Sequence, residues 1–429
     1  MNPAKFLPRF SALLALCFVS APAQAPSRTT LPDLPSAAAL GEELFRNSGA
    51  TGMVLVAVRG NQVFFHGYGE TAPGSHQLPA QDSVVRLCSL TKIFTTDVLA
   101  KLVADKTVRL DDPLQRFAPR RVVVPSRVRA ITLEDLATHT SGLPRELGVA
   151  PRGTPHFTFP DYATRWRWLP NQHPARTPGT SALYSNVAFD LLGDALESAA
   201  HKQYAALLSE RTLKPLRMYN TTYFPNAAQC SRLLKSAHDE GPCTTTEQTA
   251  GSSGLYSTAG DMAIWLEYLL GTGAPAQDPA AQAVYIPLSS LTRQQGLDHA
   301  GEPSGVGLGW IHIEPADSLS HIVEKTGGGA GFITYIAINH ARRTAIFVAA
   351  TDGPDRPRAG RVSSVVESVA GGSGPDTLRP DASGPQAPHL NLFNAANNLL
   401  LTMSGLPPLP PPPSRFVAAK RRRAKTRRR

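Results

Sequence analysis

Hydrophobic residues follow two patterns along the chain, and the first predicts β-strands near both of its ends. Segments 52–59 and 62–68 are rich in β-branched and aromatic residues and flank Gly60-Asn61, a pair typical of a tight hairpin turn. Strand patterns return at 321–325, 332–339 and 344–351, with a turn at 340–342 between the last two. We therefore predict an antiparallel sheet built from both ends of the chain.

The second pattern has the 3.6-residue period of a helix. After residue 91, Phe94, Val98, Leu99 and Leu102 fall on one face, as expected for a helix that packs against a core. Comparable patterns predict further helices at 40–45, 131–139, 183–199, 204–213, 261–270 and 391–403.

These elements together predict an α/β (α+β) fold, an antiparallel sheet flanked by helices with an inserted helical domain. The sheet domain comprises 39–105 and 251–404, with a flexible Gly/Pro/Asp/Ser-rich insertion at 352–387, and the helical domain comprises 106–250. Residues 24–38 are predicted to form a linker, and 405–429 a disordered tail that is first Pro-rich and then basic.

The first 23 residues have the composition of a secretory signal. Lys5 and Arg9 precede the apolar run 10–19, and small residues at Ala21 and Ala23 favour cleavage after Ala23. Ten apolar residues are too few to span a bilayer, which argues against a membrane anchor. We therefore expect export to the periplasm, with association with the inner membrane as a further option.

Composition agrees with a globular fold, and the charge is unusual only in the C-terminal tail. The 429 residues are 42% hydrophobic and 18% charged, enough to bury a large core. The net charge of +10 is concentrated at the C-terminal end, where residues 415–429 contain nine basic side chains, so that residues 26–414 carry a net charge of −1. Such a run is either a solvated end or a contact for an anionic membrane or wall surface. Nucleic acid is a poor partner for an exported chain.

Three cysteines remain after removal of the signal. Because an exported protein is oxidised, Cys230 and Cys243, thirteen residues apart in a polar segment, are predicted to form a disulfide. Cys88 is left over, and we expect it to be a buried, unreactive thiol.

Candidate chemistry centres on Ser89 and Lys92, at the predicted start of the helix that contains Phe94. A lysine three residues after a serine lies one turn along the same helix face, so the two side chains can share a proton. The simpler interpretation is that Ser89 only caps the helix. Against it, a cap is usually supported by Glu or Gln three residues later, and a cation is unfavourable at a helix N-terminus.

Two further short motifs occur later in the chain. Tyr184-Ser185-Asn186 precedes an apolar helix, where Asn186 could instead be the N-cap and Tyr184 a packing residue. Lys325-Thr326-Gly327 ends a predicted strand, where a glycine-rich hairpin is the alternative. The joint occurrence of Ser-x-x-Lys, Tyr-x-Asn and Lys-Thr-Gly, in this order and once each, favours a serine acyl-transfer site assembled between the two predicted domains.

With these motifs, the chain resembles the serine β-lactamase and penicillin-binding protein superfamily, and within it the class C branch, whose second motif carries tyrosine. The segments 139–142, 215–218 and 254–258 resemble the same superfamily. The segments 48–53, 69–71 and 308–310 are similar to those of a periplasmic D-alanyl-D-alanine carboxypeptidase and endopeptidase that acts on peptidoglycan. The resemblance covers about residues 40–350.

The resemblance implies a role for each matching residue. Ser89 is expected to attack a D-Ala-containing peptide or a β-lactam and to form an acyl-enzyme. Lys92 and Tyr184 are expected to exchange protons with it, and which of them is the base stays open. Lys325 is expected to be a catalytic residue that adds positive potential to the site. For substrate binding, the resemblance implies Asn186 for an amide and Thr326 with Gly327 for the carboxylate. The backbone N–H groups of Ser89 and Gly328 are the expected oxyanion hole.

Several alternatives remain at this point. A class C β-lactamase and an esterase of the same fold would use the same residues, and a non-catalytic wall-binding protein would not need Ser89 and its proton partners together. The chain has no Gly-x-Ser-x-Gly, His-Glu-x-x-His or P-loop motif, and no metal site or cofactor is expected. His139 is predicted to be structural. Peptidoglycan peptides and β-lactams are the expected partners, and no partner protein is inferred.

Overall fold

The computed structural model describes residues 36–409 except 175, 239–240, 274, 298, 315–317 and 355–386. The predicted signal at 1–23, nearly all of the predicted insertion at 352–387 and the basic tail from residue 410 lie outside the described residues. Within the described ranges, no helix is both long and apolar enough to cross a membrane.

An eight-stranded sheet forms the centre of the molecule, with the strand order β2-β1-β12-β11-β10-β9-β8-β6. Two pairs of short strands, β3 with β5 and β4 with β7, lie outside it. The strands are β1 Gly52–Arg59, β2 Gln62–Gly69, β3 Val84–Arg86, β4 Ala182–Leu183, β5 Tyr256–Thr258, β6 Ile286–Pro287, β7 Gln294–Gln295, β8 Gly305–Val306, β9 Ile311–Ile313, β10 Ile322–Gly329, β11 Phe332–Asn339 and β12 Thr344–Thr351.

The prediction that both ends of the chain build the sheet is confirmed. β1 pairs with β2 in the expected hairpin and, on its other edge, with β12, in a register that places Met53 opposite Ala350. β10 is longer than predicted, because the glycine-rich segment after Lys325 continues the ladder with β11 as far as Gly329 opposite Phe332. The glycine-rich hairpin considered for this motif is present, with its turn at Ala330-Gly331.

Helices cover both faces of this sheet, and the predicted helical segments are present with shifted ends. The helices are α1 Ser36–Ser48, α2 Thr91–Ala104, α3 Leu133–Ala137, α4 Tyr162–Trp168, α5 Asn186–Ala200, α6 Tyr204–Leu208, α7 Lys214–Leu216, α8 Ala227–Ser231, α9 Ala259–Leu270 and α10 Ala387–Met403.

Two of the shifts have a clear physical cause. α1 begins at Ser36, inside the segment predicted as a linker, because the alanines that suggested low complexity are the strongest helix formers. α3 is shorter than predicted. It begins after Thr132, whose side chain forms a capping box with Asp135, and it stops before His139, whose φ of 62° cannot continue a helix.

The sheet is buried on both faces, and successive residues along its strands face two different cores. Val54 and Val56 of β1 belong to a large core that also contains Trp265 of α9 and the buried residues of α2 and α5. Met53 and Leu55 face a second core with Leu400 of α10 and residues of α1. The sheet and the predicted helical domain thus share one continuous core, and the boundaries of the predicted domains stay a prediction.

The predicted cysteine pairing is confirmed. Cys230 and Cys243 form a disulfide with a Cα–Cα distance of 5.7 Å. Cys88 is a buried free thiol, as expected. Burial raises the pKa of this thiol to about 12, so it stays protonated and unreactive at neutral pH.

A carboxyl in the second core makes stability dependent on pH. Glu324 of β10 is fully buried, and it accepts hydrogen bonds from Ala300 N, at 2.8 Å, and from the hydroxyl of Tyr335. Burial raises the pKa of Glu324 from 4.5 to about 8 in the folded chain. Between these two values the folded state therefore binds more protons than the unfolded state, and stability falls as pH rises.

Glu324→Gln is expected to remove this pH dependence. The free energy of unfolding of the parent protein should fall by up to about 4 kcal/mol between pH 4.5 and pH 8 because of this one group, and the variant should lose that slope. Denaturant unfolding at several pH values measures it, with Glu302→Gln at an exposed position as the control. Equal slopes in the two variants would contradict the assignment.

Candidate active site

Ser89 lies in a 3₁₀ turn, Cys88–Leu90, directly before α2. Leu90 is the N-cap of α2, and no side chain caps that helix, so the interpretation of Ser89 as a capping residue is wrong. The turn is held in a sparsely populated conformation, since Cys88 has a φ of 52°. The Cys88 thiol donates to Gly329 O at 3.3 Å, which fastens the turn to β10. Ser89 itself is partly exposed.

Lys92 is fully buried, and all three of its hydrogen bonds are directed at the site. Its Nζ lies 3.2 Å from Ser89 Oγ, 2.7 Å from Asn186 Oδ1 and 2.7 Å from Ser252 O. Burial, followed by the charge of Lys325, lowers the pKa of the Lys92 amine well below its usual range. Lys92 is thus a candidate proton acceptor that is already in contact with the nucleophile.

Tyr184 contacts Ser89 from the other side. Its hydroxyl donates to Ser89 Oγ at 2.7 Å. Three basic side chains face its ring, with Lys92 Nζ and Lys325 Nζ each 4.9 Å and Arg145 Cζ 4.6 Å from the ring centroid. Lys325 and Arg145 thus place positive charge beside the side chain that contacts Ser89.

The segment from Tyr184 to Asn186 is positioned by the start of α5. Ser185 is the N-cap, and its Oγ accepts from Ala188 N at 3.0 Å. Asn186 is the first helical residue, so the interpretation of Asn186 as the cap is wrong. The Asn186 side-chain amide instead bridges Lys92 and Glu146. Its Oδ1 accepts from Lys92 Nζ, and its Nδ2 donates to Glu146 Oε1 at 2.5 Å.

His139 supports this segment and is structural, as predicted. Its Nδ1 accepts from Ser185 N at 3.1 Å, which assigns the proton of the ring to Nε2, and the ring lies 4.4 Å from that of Tyr184. Burial and the nearby cations lower the pKa of His139 well below its usual range. The ring therefore stays neutral and holds Tyr184 in place.

The third motif lies on β10, at the edge of the same site. Lys325 and Thr326 are buried, while Gly328 and Gly329 are exposed. A Cβ at Gly327 would lie 3.2 Å from Ser89 N and 2.2 Å from Thr334 Oγ1. Only glycine lets the strand approach the nucleophile this closely. The backbone of β10 therefore lies beside the N–H of Ser89.

The residues predicted for acyl transfer and substrate binding thus lie together around Ser89, and four neighbours were missed from the sequence. Ser252 acts through its carbonyl oxygen, for which a sequence carries no signal. Asp190 is an acidic residue within a mostly apolar helix pattern, a signal that could have been used. The other two, which follow Pro144 in a loop without periodicity, are Arg145 and Glu146.

The arrangement suits covalent acyl transfer. A hydroxyl in contact with both an amine and a phenol can lose its proton to one of them and form a bond to carbonyl carbon. Among the residues that the structure describes, no group of three or more His, Cys, Asp or Glu side chains could hold a metal ion.

Comparison with known proteins supports the same kind of chemistry. A family profile described as Beta-lactamase matches residues 38–369. Over 317 residues, 73% of this chain and 82% of the relative, the chain is 42% identical to the D-alanyl-D-alanine-carboxypeptidase/endopeptidase AmpH of Escherichia coli strain K12.

Solved structures agree in fold. A beta-lactamase/D-alanine carboxypeptidase from Yersinia pestis matches with a TM-score of 0.75 and 36% identity, covering 87% of this chain and 99% of that one. A class C beta-lactamase from Rhodobacter sphaeroides matches with a TM-score of 0.57 and 23% identity over 74% of this chain and 94% of that one, a likeness of fold alone. The predicted architecture, an antiparallel sheet flanked by helices, is confirmed.

Proposed function

Because this chain belongs to the beta-lactamase family, we propose that it is a serine hydrolase of peptidoglycan stem peptides, a D-alanyl-D-alanine carboxypeptidase and endopeptidase that also binds penicillin covalently. One observation carries the proposal: Ser89 Oγ lies 3.2 Å from the buried amine of Lys92 and 2.7 Å from the hydroxyl of Tyr184. The 42% identity to a relative described by these two activities supports the substrate class.

Acylation follows from these contacts. Ser89 Oγ forms a bond to the carbonyl carbon before the terminal D-alanine, and its proton passes to Lys92 or Tyr184. The C–N bond then breaks, and the same proton moves to the leaving amine. The neutral form of Lys92, which its lowered pKa favours, is the form that can accept the proton.

The substrate is held on both sides of this bond. Asn186 Nδ2, beside Glu146, is available to bind an amide on the acyl side. On the other side, Lys325 supplies positive charge, and Thr326 with Gly327 binds the carboxylate end along β10. The N–H groups of Ser89 and Gly328 stabilise the oxyanion. Water then releases the acyl group and regenerates Ser89.

The proposed location is the periplasm, where peptidoglycan lies. It rests on the signal-like composition of residues 1–23, which lie outside the described residues. The basic residues of the tail, also outside them, are proposed to contact an anionic membrane or wall surface.

One preparation assayed on three substrates tests the function. We expect release of D-alanine from a muropeptide that ends in D-Ala-D-Ala, slow turnover of a penicillin after rapid acylation, and little hydrolysis of a short-chain ester. The rates rank the peptidase, β-lactamase and esterase interpretations, because all three share the acylation step. Rapid cephalosporin hydrolysis without D-alanine release would overturn the proposal in favour of a β-lactamase.

A further inference from the structure

Asp190 is a buried carboxyl that the proposed mechanism does not use. It lies on α5 one turn after Asn186, and only 2% of it is exposed. Its Oδ1 accepts from Ser252 N at 2.9 Å, and the carbonyl oxygen of the same Ser252 accepts from Lys92 Nζ at 2.7 Å. One residue of main chain therefore joins the carboxyl to the amine that contacts Ser89.

Among the basic side chains around Asp190, Lys92 is the one whose protonation can change with that of Asp190. Arg165 of α4 is already held by Asp194, with two hydrogen bonds of 2.6 and 2.5 Å. By contrast, the hydrogen bonds of Lys92 all go to neutral acceptors. The charged and titratable groups that face Asp190 are Lys92 on α2, Arg165 on α4, Asp194 on α5, Tyr204 on α6 and Tyr223 after α7.

A cavity of about 190 Å³ gives Asp190 access to water. Its volume is sufficient for several water molecules, and its lining is rich in polar groups that can bind them. None of Ser89, Lys92, Tyr184 and Lys325 lines it, so this access does not pass through the substrate cleft. The acidic residues that line it together with Asp190 are Asp194, Glu197 and Glu247.

We propose that Asp190 is a positioning residue for Lys92: the two groups share one proton across Ser252, and Asp190 exchanges that proton with water in the cavity. The proposal rests on the proposed function, since it assigns Lys92 the proton of Ser89. In the resting state the pair holds one proton, which lies on the carboxyl when Lys92 is the neutral base and on the amine when an ammonium faces a carboxylate. When Lys92 takes the proton of Ser89, Asp190 releases its own proton to a water molecule of the cavity.

This exchange keeps the buried region neutral. Before the step the pair is uncharged, and after it an ammonium faces a carboxylate, so no isolated charge is formed inside the protein. When Lys92 passes its proton to the leaving amine, Asp190 recovers one from the cavity. The pKa values agree with this assignment, since burial raises the pKa of Asp190 to about 7 while that of Lys92 is lowered.

Infrared titration tests the pair without any activity. A protonated carboxyl gives a carbonyl band, and the band that disappears in Asp190→Asn belongs to Asp190. The titration midpoint of this band is expected near pH 7. In Lys92→Met, or Lys92→Gln if the first does not fold, the midpoint should rise by about one unit or more, because the Asp190 carboxylate can no longer be stabilised by an ammonium at position 92. The band of Glu324 is the internal control and should not move. An unmoved Asp190 midpoint would overturn the proposal.

The pH dependence of acylation by a fluorescent penicillin supplies the kinetic test. Asp190→Asn keeps an oxygen for Ser252 N but removes the charge, so Lys92 becomes neutral at lower pH and the acidic limb should shift down by about one unit. Asp190→Ala, which loses that oxygen, should be slower at every pH. An unshifted limb in Asp190→Asn would reduce Asp190 to a structural role. If the parent protein is not acylated at all, the proposed function fails, and the infrared result still decides the pair.

Discussion

Ser89→Ala is expected to abolish covalent labelling by a fluorescent penicillin and to lower the release of D-alanine by at least about 10⁴-fold. Alanine has no oxygen to form the acyl bond, and loss of a serine nucleophile is among the most costly changes to a hydrolase. The variant should stay folded, because Leu90 and not Ser89 is the N-cap of α2. Gel fluorescence after incubation with the penicillin measures labelling directly.

Ser83→Ala is the matched control for this variant. Ser83 is buried and accepts from Ala80 N away from the site, so its loss should leave labelling intact. Both variants should unfold at nearly the same temperature as the parent protein. Labelling that survives in Ser89→Ala would refute Ser89 as the nucleophile.

Tyr184→Phe is expected to slow acylation by about 10²- to 10⁴-fold, with a smaller effect on substrate binding. Phenylalanine preserves the ring that packs against His139 but removes the hydroxyl that lies 2.7 Å from Ser89 Oγ. That range is typical for loss of one group in general acid-base catalysis. Stopped-flow measurement of acylation separates the rate from the binding constant.

The result also identifies the base. A loss below tenfold would assign proton transfer to Lys92 alone, whereas a loss within the expected range requires the phenol. Tyr285→Phe, which removes a hydroxyl bonded to Ala280 O outside the site, should have no effect on acylation and serves as the control.

Local patterns were sufficient to predict the motif residues. Ser89 and Lys92 are three residues apart on one helix, and the hairpin of β1 and β2 is encoded by its own turn residues. Tyr184, Asn186 and Lys325 could be added because short motifs in a fixed order restrict the chemistry. Their geometry agrees with these predictions, while their roles stay proposals until the variants are measured.

Features that depend on tertiary packing could not be predicted in the same way. The glycines after Lys325 favour a turn locally, yet pairing with β11 keeps them extended as far as Gly329. The choice of Ser185 over Asn186 as the cap depends on which side chain Lys92 and Glu146 bind. Ser252 contributes a carbonyl oxygen, which any residue type carries.

The pairing of β1 with β12 also links the two ends of the chain to the assembly of the site. Residues about 300 positions apart must meet to join the N-terminal hairpin to the C-terminal strands, and such distant contacts are typical of slow folding. Ser89 and Lys92 are neighbours in sequence, whereas Lys325 lies on β10 among the C-terminal strands. A chain in which these two parts have not yet met therefore contains the nucleophile without a complete site.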